Sequence, residues 1–357
     1  MAEGVRQFPC TQCGAKVEFA PGTDSLECPY CGHQTAIPAS TDGIEERDFG
    51  AGVAELDQDA DTEEVRSVSC GSCAASVEPP ASAEAFPCPY CGSSIVTTAR
   101  SQRLIKPRAL LPFKIARDKA TALFRTWIKK LWFAPNSLKK LARLEDRLQG
   151  LYAPYWTYDA ATVSRYTGQR GDNYTTTRTV TRNGERVTET VTKIRWRPAA
   201  GTVARDFDDM LVVGSKSLPR ELAEELEPWD LGNLVTYADE YLSGFIAERY
   251  QVDLRHGWSR AAERMDEVIR GDVRRDIGGD HQRITTLDTR HNRITYKHVL
   301  LPMWICSYRY KQKVYRFLVN ARTGEVQGQR PWSWVKITLT ALVAAAVALT
   351  IYRYLNG

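Results

Sequence analysis

Histidine is scarce in this chain, with five among 357 residues. His33, His256, His281, His291 and His298 form no His-x-x-x-His or similar ligand spacing, so each reads as surface or strand filler rather than as part of a helical zinc-enzyme motif. The amino-terminal MAEGVRQFPC has no apolar run that could act as a signal peptide, and a reducing compartment without structural disulfides is expected. Gly-x-Ser-x-Gly is absent, and no dyad of nucleophile and base stands out. Gly214-Ser215-Lys216-Ser217 ends like a phosphate loop, but the earlier glycine is missing and Leu218-Pro219 follows, so no nucleotide site is supported. Asp206, Asp208 and Asp209 cluster in ARDFDDMLVV and read as a solvated turn before a strand rather than as a metal or acid/base site. A large net charge is lacking as well, yet the formal +5 conceals an asymmetry. Residues 1–99 hold 4 basic and 16 acidic side chains, whereas 100–147 hold 14 basic and 3 acidic.

Cysteine, by contrast, is concentrated. Eight of nine fall in four Cys-x-x-Cys pairs within the first 91 residues. FPCTQCGAKVEFAPGTDSLECPYCG, from Phe8, returns sixty residues later as VSCGSCAASVEPPASAEAFPCPYCG, from Val68, with fourteen residues between the second and third cysteines of both copies. A Cys-x-x-Cys turn offers two thiolates from one knuckle, and two knuckles close a tetrahedral site. The expected ligand sets are Cys10, Cys13, Cys28 and Cys31, then Cys70, Cys73, Cys88 and Cys91, each holding one structural zinc. Gly14, Gly32 and Gly92 follow a knuckle's second cysteine, where positive φ turns backbone N–H groups toward sulfur. Ala74 breaks that pattern. Redox Cys-x-x-Cys motifs open a helix in a thioredoxin-like unit, a context missing here. Rubredoxin-like iron uses the same ligands, and the sequence leaves that alternative open. Local closure is favoured over cross-bracing between modules, because the separating segment is long. Cys306, alone, reads as apolar filler in a strand.

The organisation expected is two zinc ribbons at 1–39 and 67–99 joined by an acidic linker at 40–66, too poor in aromatics to fold alone. An α+β, mostly antiparallel domain follows at 100–331. Amphipathic helices are expected in LPFKIARDKATALFRTWIKKLWF and SLKKLARLEDRL, the latter with Leu138, Leu141, Leu144 and Leu148 on one face. Further helices are expected in SLPRELAEELEP, 237–249 and 258–274. Alternating Thr and Val around Asn183-Gly184 predict a hairpin with a type I′ turn. RITTLDT, NRITYKHVLLPMWICSYRY, KVYRFLVN and GEVQG predict strands, with a turn over Asn320–Gly324. Pro154-x-Trp156 and Pro302-x-Trp304 echo each other as in a half-repeat, and proline there implies sheet edges or bulges.

The last segment, 332–357, reads as a membrane anchor. Ile337 to Ile351 is an unbroken run of apolar residues and Thr, extended to about 18–20 residues if Lys336 and Arg353 snorkel. Trp332, Trp334, Tyr352 and Tyr354 stand at its ends, where amphipathic rings favour the interface. Thiolate sites upstream place the bulk of the chain on the cytoplasmic side.

The tandem CPYCG ribbons, LLPFKIARDKATALFRTWIKKLWFAP, GLYAPYWTYDAATVSRYTGQRG and LAEELEPWDLGNLVTYADEYLSGFIAERYQVDL together resemble bacterial membrane-associated proteins with a transcription-factor-IIB-type zinc ribbon. Members are often labelled primosomal protein N′/replication factor Y helicase-like. That label does not transfer, since the chain lacks a Walker A loop. The resemblance implies partners of the stomatin/flotillin or phage-shock type. The function expected is a non-enzymatic adaptor or scaffold at the cytoplasmic membrane; nucleic-acid binding is the alternative, disfavoured because the ribbons are acidic. Residues 100–147 either rest on anionic lipid or pair with the acidic amino-terminal segment.

Overall fold

Valine, threonine, isoleucine and aromatic residues favour a pleated backbone, and they dominate three unusually long strands: Gln149–Arg182, Glu185–Val213 and His281–Tyr310. The computed structural model describes residues 8–38, 40, 43–57, 62–70, 72, 75–77, 85–96, 100–135, 148–182, 185–310 and 313–356. The 34-residue strand lies between the other two, antiparallel to both, and at about 3.3 Å per residue runs roughly 110 Å along its path. Its register runs from Tyr155↔Val213 to Arg182↔Glu185 on one side and from Gln149↔Ile305 to Gly171↔His281 on the other. The hairpin turn at Asn183-Gly184 lies outside the described residues, but the pairing on either side of it is the expected one. The four separate strands expected after Gly279 are in fact one strand from His281 to Tyr310, a hairpin partner, Lys313–Asn320, and Val326–Gly328. Gly324, at φ +86°, closes the expected turn by donating its N–H to the Asn320 carbonyl (2.9 Å).

The echo of Pro-x-Trp marks a duplicated β-α-β-β unit. Ala109–Leu110 and the helix Arg117–Lys130 recur 137 residues later as Ile246–Ala247 and the helix starting at Leu254. Each short strand pairs in parallel with the long strand of the other unit: Ala109↔Val299 and Leu110↔Leu300, against Leu151↔Ile246 and Tyr152↔Ala247. The indole of Trp156 donates to the Val252 carbonyl and that of Trp304 to the Ile115 carbonyl, both at 2.8 Å. Trp156 packs 5.0 Å from Tyr250 and Trp304 packs 5.2 Å from Phe113. The two units are therefore interlocked, each closing on the other's pre-helix turn.

The prolines sit inside central strands, not at the edges or bulges expected of them. Pro154 falls between the end of the Ile246–Ala247 pairing and the start of the Val213 pairing. Its carbonyl accepts from Gly214 N–H (2.8 Å), so its nitrogen faces that same junction. Pro302 repeats this, with Ala321 N–H donating to its carbonyl (3.1 Å). No ladder bond is lost where the neighbouring strand changes.

Period-two alternation then sends side chains to opposite faces. Tyr152, Leu300, Trp304, Phe317 and Val319 face the first ribbon and the helix Arg117–Lys130. Leu151, Ala153, Tyr155, Val299, Leu301 and Met303 face the second ribbon and the segment from Leu218 to Trp229. Farther along, the three long strands project as a blade, on which the helix Leu254–Ile277 covers Trp156, Tyr158, Tyr166 and Phe207 with Leu254, Gly257, Ala261, Met265, Ile269, Val273 and Ile277.

Two expectations are corrected. The acidic linker carries the strand Arg47–Asp48, paired with Thr295 and Tyr296, and the helix Phe49–Asp57. Phe49, Val53 and Leu56, at spacings of four and three, dock against the blade core, with Phe49 5.5 Å from Trp258 and 6.3 Å from Tyr158. The argument from composition concerned folding alone, and this segment borrows its core. Residues 237–249 form a 3₁₀ turn, Asp239–Leu242, and the strand Ile246–Ala247 rather than a helix. Gly244, at φ +90°, stops helical continuation. The helix expected in SLKKLARLEDRL lies outside the described residues, apart from Leu148.

The last described element is the helix Trp334–Asn356, whose Trp334–Leu355 portion is long and apolar enough to cross a membrane, with none of its most apolar window buried against the other described residues. Two glycines on the blade helix offer a test of the packing. A methyl at Gly257 would overlap the Tyr158 hydroxyl, whereas one at Gly271 meets nothing within 4 Å. Gly257→Ala is expected to lose about 1–3 kcal/mol and Gly271→Ala to gain up to about 1 kcal/mol, measured by urea unfolding.

Candidate metal centres

Three of the knuckles, at Cys10, Cys28 and Cys88, are each built by two backbone hydrogen bonds. In the first module Cys10 N–H donates to Ala15 (2.7 Å) and Gly14 N–H to Cys10 (2.9 Å); in its second knuckle Cys28 N–H donates to His33 and Gly32 N–H to Cys28, both at 2.9 Å. Gly14 and Gly32 share φ +72°, which a side chain would strain. The second module repeats the pattern at Cys88, with Gly92 at φ +71° donating to the Cys88 carbonyl (2.8 Å). Cys70 N–H still reaches Ala75 (2.8 Å) although the sequence places Ala74 where the other knuckles have glycine.

These turns bring the sulfurs of Cys10, Cys13, Cys28 and Cys31 within 4.8 Å of one another. The Cys10–Cys31 and Cys13–Cys28 separations are 3.6 and 3.5 Å. Four sulfurs about 2.3 Å from a zinc-sized ion would stand about 3.8 Å apart, so the geometry fits a tetrahedral cation and is far from the about 2.05 Å of a disulfide. The ionisation pattern agrees. The Cys31 amide draws the Cys28 thiol down to about 7. Cys31 is lowered by the His33 amide, but local desolvation and the other three sulfurs outweigh this and push it up to about 12. Four thiols this close cannot all ionise without a cation between them. In the second module Cys70, Cys88 and Cys91 form the same kind of cluster, with Cys70 and Cys91 3.6 Å apart. Cys73 lies outside the described residues. Among the described residues each cluster draws its sulfurs from a single module, four in the first and three in the second.

The two modules dock differently. Ser243 donates its hydroxyl to the Val17 carbonyl (2.7 Å) and accepts Phe19 N–H at its own carbonyl (3.0 Å), while the Phe19 ring packs 5.2 Å from Tyr241. The second module inserts its knuckle tyrosine. Tyr90 is fully buried; its hydroxyl donates to Glu248, and its carbonyl accepts from the Ser307 hydroxyl and from Arg316 Nε (2.9 Å). Tyr30, the same residue of the first CPYCG, is 82% exposed. Glu248 also accepts from Ser215 (2.8 Å) and from Gln251 (2.9 Å). Burial pushes its carboxyl up to about 7, against the hydrogen bonds that favour the charged form. Ser215 in the Gly214–Ser217 loop thus serves this clamp and also accepts Ser217 N–H (2.9 Å).

The other candidates fall elsewhere. Among the described residues no histidine joins a metal cluster; His298 is core, its Nδ1 3.0 Å from the Ile105 carbonyl, and burial drops its pKa to about 3. Cys306 is buried strand filler. The aspartates lie within the strand Glu185–Val213, at a bulge, not in a turn before it. Asp208 meets Glu46 and Asp159, while Asp209 pairs with buried Lys297 (2.7 Å). Burial, and then Glu46, raise Asp159 to about 6, whereas the interaction with Asp159 lowers Glu46. Glu46, Asp159, Lys297 and Glu248 carried no local motif; only the folded sheet gathers them.

Full-length protein is expected to bind about two divalent ions per chain, with Cys28→Ser and Cys88→Ser each lowering the count by about one, as read by elemental analysis. The Glu248 carboxyl adds a pH dependence. Below its ordinary value of 4.5 it is protonated in both folded and unfolded chains, and above about 7 it is ionised in both. Between those values only the folded chain keeps the proton, so this contribution to stability falls as pH rises. At roughly 1.4 kcal/mol per pH unit the loss reaches at most about 3 kcal/mol. Melting temperatures of Glu248→Gln are expected to lack that slope; a slope identical to the parent's would refute the assignment.

No family model matches the chain, and no solved structure matches it. None of the comparisons ties it to a primosomal helicase. It is similar to the uncharacterized protein YdjG of Bacillus subtilis (strain 168), with 27% identity over 253 residues that span 69% of this chain and 70% of that protein.

Proposed function

We propose that the protein is a non-enzymatic adaptor, anchored in the cytoplasmic membrane by its carboxy-terminal helix and carrying two structural zinc ions in its ribbons. The observation that supports this reading is the pairing of a four-cysteine cluster in the first module with an apolar helix that none of the described residues covers. Four thiolates fill a tetrahedral zinc and leave no position for a reacting water. Leu339, Leu342, Val343, Val347, Leu349 and Ile351 are all exposed on the helix, an apolar surface that a soluble monomer rarely tolerates. Arg330 and Lys336 before the apolar run Ile337–Ile351, against Arg353 after it, favour a cytoplasmic bulk by a small margin.

The surface available to a protein partner is the open face of the first ribbon, where Tyr30, Cys13 and Cys31 are exposed. Aromatic side chains at the centre of an interface contribute most of its affinity. Stomatin/flotillin-type or phage-shock-type partners are the classes implied by the resemblance of the chain.

A chain ending at Arg330 is expected to leave the membrane pellet for the supernatant, and unchanged sedimentation would exclude the anchor. From native membranes in mild detergent, full-length protein is expected to retain partners that Tyr30→Ala loses while keeping its metal content. Equal recovery with both would exclude the ribbon face as the docking surface.

A further inference from the structure

We propose that Lys129, Lys130 and Trp132, with Arg330, Trp332 and Trp334, form a collar that binds anionic phospholipid headgroups around the root of the carboxy-terminal helix. The proposal rests on reading Trp334–Leu355 as a bilayer span, and it assigns a second, sequence-distant segment to the membrane surface.

The geometry starts at the first turn of the terminal helix. Ser333 N–H donates to the Phe133 carbonyl (2.8 Å). Lys336 Nζ does not extend along the helix toward headgroups, as snorkelling would require; it donates to the carbonyls of Trp132 (3.2 Å) and Ala134 (2.8 Å). Phe133 and Trp332 pack with ring centres 6.5 Å apart, and the Arg330 guanidinium lies 4.4 Å over the Trp332 ring. Residues 132–134 are thus held at the level where the helix turns from polar to apolar.

What this level exposes suits a lipid interface. Trp132 and Trp334 are each 75% exposed and Trp332 is 53% exposed. Three exposed indoles around the first turn of the terminal helix are costly in water but favourable at headgroup depth, where an apolar ring with a polar N–H is at home. Lys129 and Lys130 are exposed in the last turn of the helix Arg117–Lys130, immediately before Trp132. Their charge complements phosphodiesters that would surround the span. A 22-residue helix rises about 33 Å, close to the thickness of a hydrocarbon core, so Trp334 at one boundary fixes Trp132 at the same boundary.

The collar is also stiff. Phe124 stacks on Phe317 at 3.5 Å and 7°, and Ala120 and Ile128 are buried beside it, tying the helix Arg117–Lys130 to the sheet. Lipid contact at Trp132 would therefore set the orientation of the whole sheet relative to the bilayer, where a single flexible tether would leave it free.

The test uses full-length protein reconstituted into vesicles of phosphatidylcholine alone or with about 30% phosphatidylglycerol, a fraction chosen to give the anionic surface potential on which basic residues act. Acyl chains brominated near the headgroup report indole depth. Trp132→Phe is expected to remove a component of the quenched emission. Lys129→Glu with Lys130→Glu is expected to lower the enrichment of phosphatidylglycerol around the protein on the order of tenfold. All three residues are exposed, so metal content should be unchanged. Protein that resists alkaline carbonate extraction yet shows no Trp132 quenching and no change in lipid preference would overturn the collar while leaving the anchor intact. Release of the parent protein by carbonate would overturn the anchor and the collar with it.

Discussion

The antiparallel pairing of Gln149–Tyr158 with Tyr296–Ile305, centred on Ala153 opposite Leu301, is the constraint on which the rest of the molecule depends. Two indole hydrogen bonds cross it, Trp156 to Val252 and Trp304 to Ile115, and each ties one repeat's strand to the other repeat's helix entrance. Neither β-α-β-β unit can bury its tryptophan without the other. Pairing between segments this far apart in sequence gives the sheet a high contact order. Once it forms, side-chain parity supplies two apolar faces, and everything else docks on one or the other.

The cysteine clusters belong to that same core. Cys10 and Cys28 lie in the cluster that contains Tyr152 and Trp304, while Cys70 and Cys88 lie with Tyr155 and Met303. Binding of roughly 10–16 kcal/mol per structural zinc would therefore stabilise both faces of the sheet, beyond two appended ribbons. The duplication is broken at one informative point. Leu111 donates its N–H to Leu300 where Glu248 donates to Tyr152, so a buried carboxylate replaces an apolar side chain. That replacement accepts the Tyr90 hydroxyl, on the face of the sheet that carries the second module.

A rigid sheet held to a terminal helix through Phe133, Ser333 and Lys336 differs from a domain on a loose tail. The contacts that carry the first ribbon, the helix Arg117–Lys130 and the root of the terminal helix share one face of the sheet. An adaptor built this way would present its open ribbon at a set height and angle from the surface to which it is fixed.

Local chemistry alone made much of this legible. Cys-x-x-Cys spacing, glycine after the second cysteine, Thr and Val alternation, and an apolar run with aromatic ends each act over a few residues, so cysteine sets, strands and the terminal helix could be read directly. Pro154-x-Trp156 and Pro302-x-Trp304 even announced the duplication, though the rule that proline belongs at sheet edges misplaced them. What tertiary structure decided was everything that depends on a partner distant in sequence. The acidic segment around Phe49, Val53 and Leu56 folds because a blade core exists to receive it. Residues 237–249 give up their helical pattern because Ile246–Ala247 finds a parallel strand. Glu248, Asp159 and Lys297 acquire partners, and Glu248 and Asp159 shifted ionisation, only through burial, and the open or closed fate of two identical CPYCG knuckles is set by the surface each meets. Sequence encodes the donors and the period; burial and long-range pairing, which no short window contains, decide what those donors face.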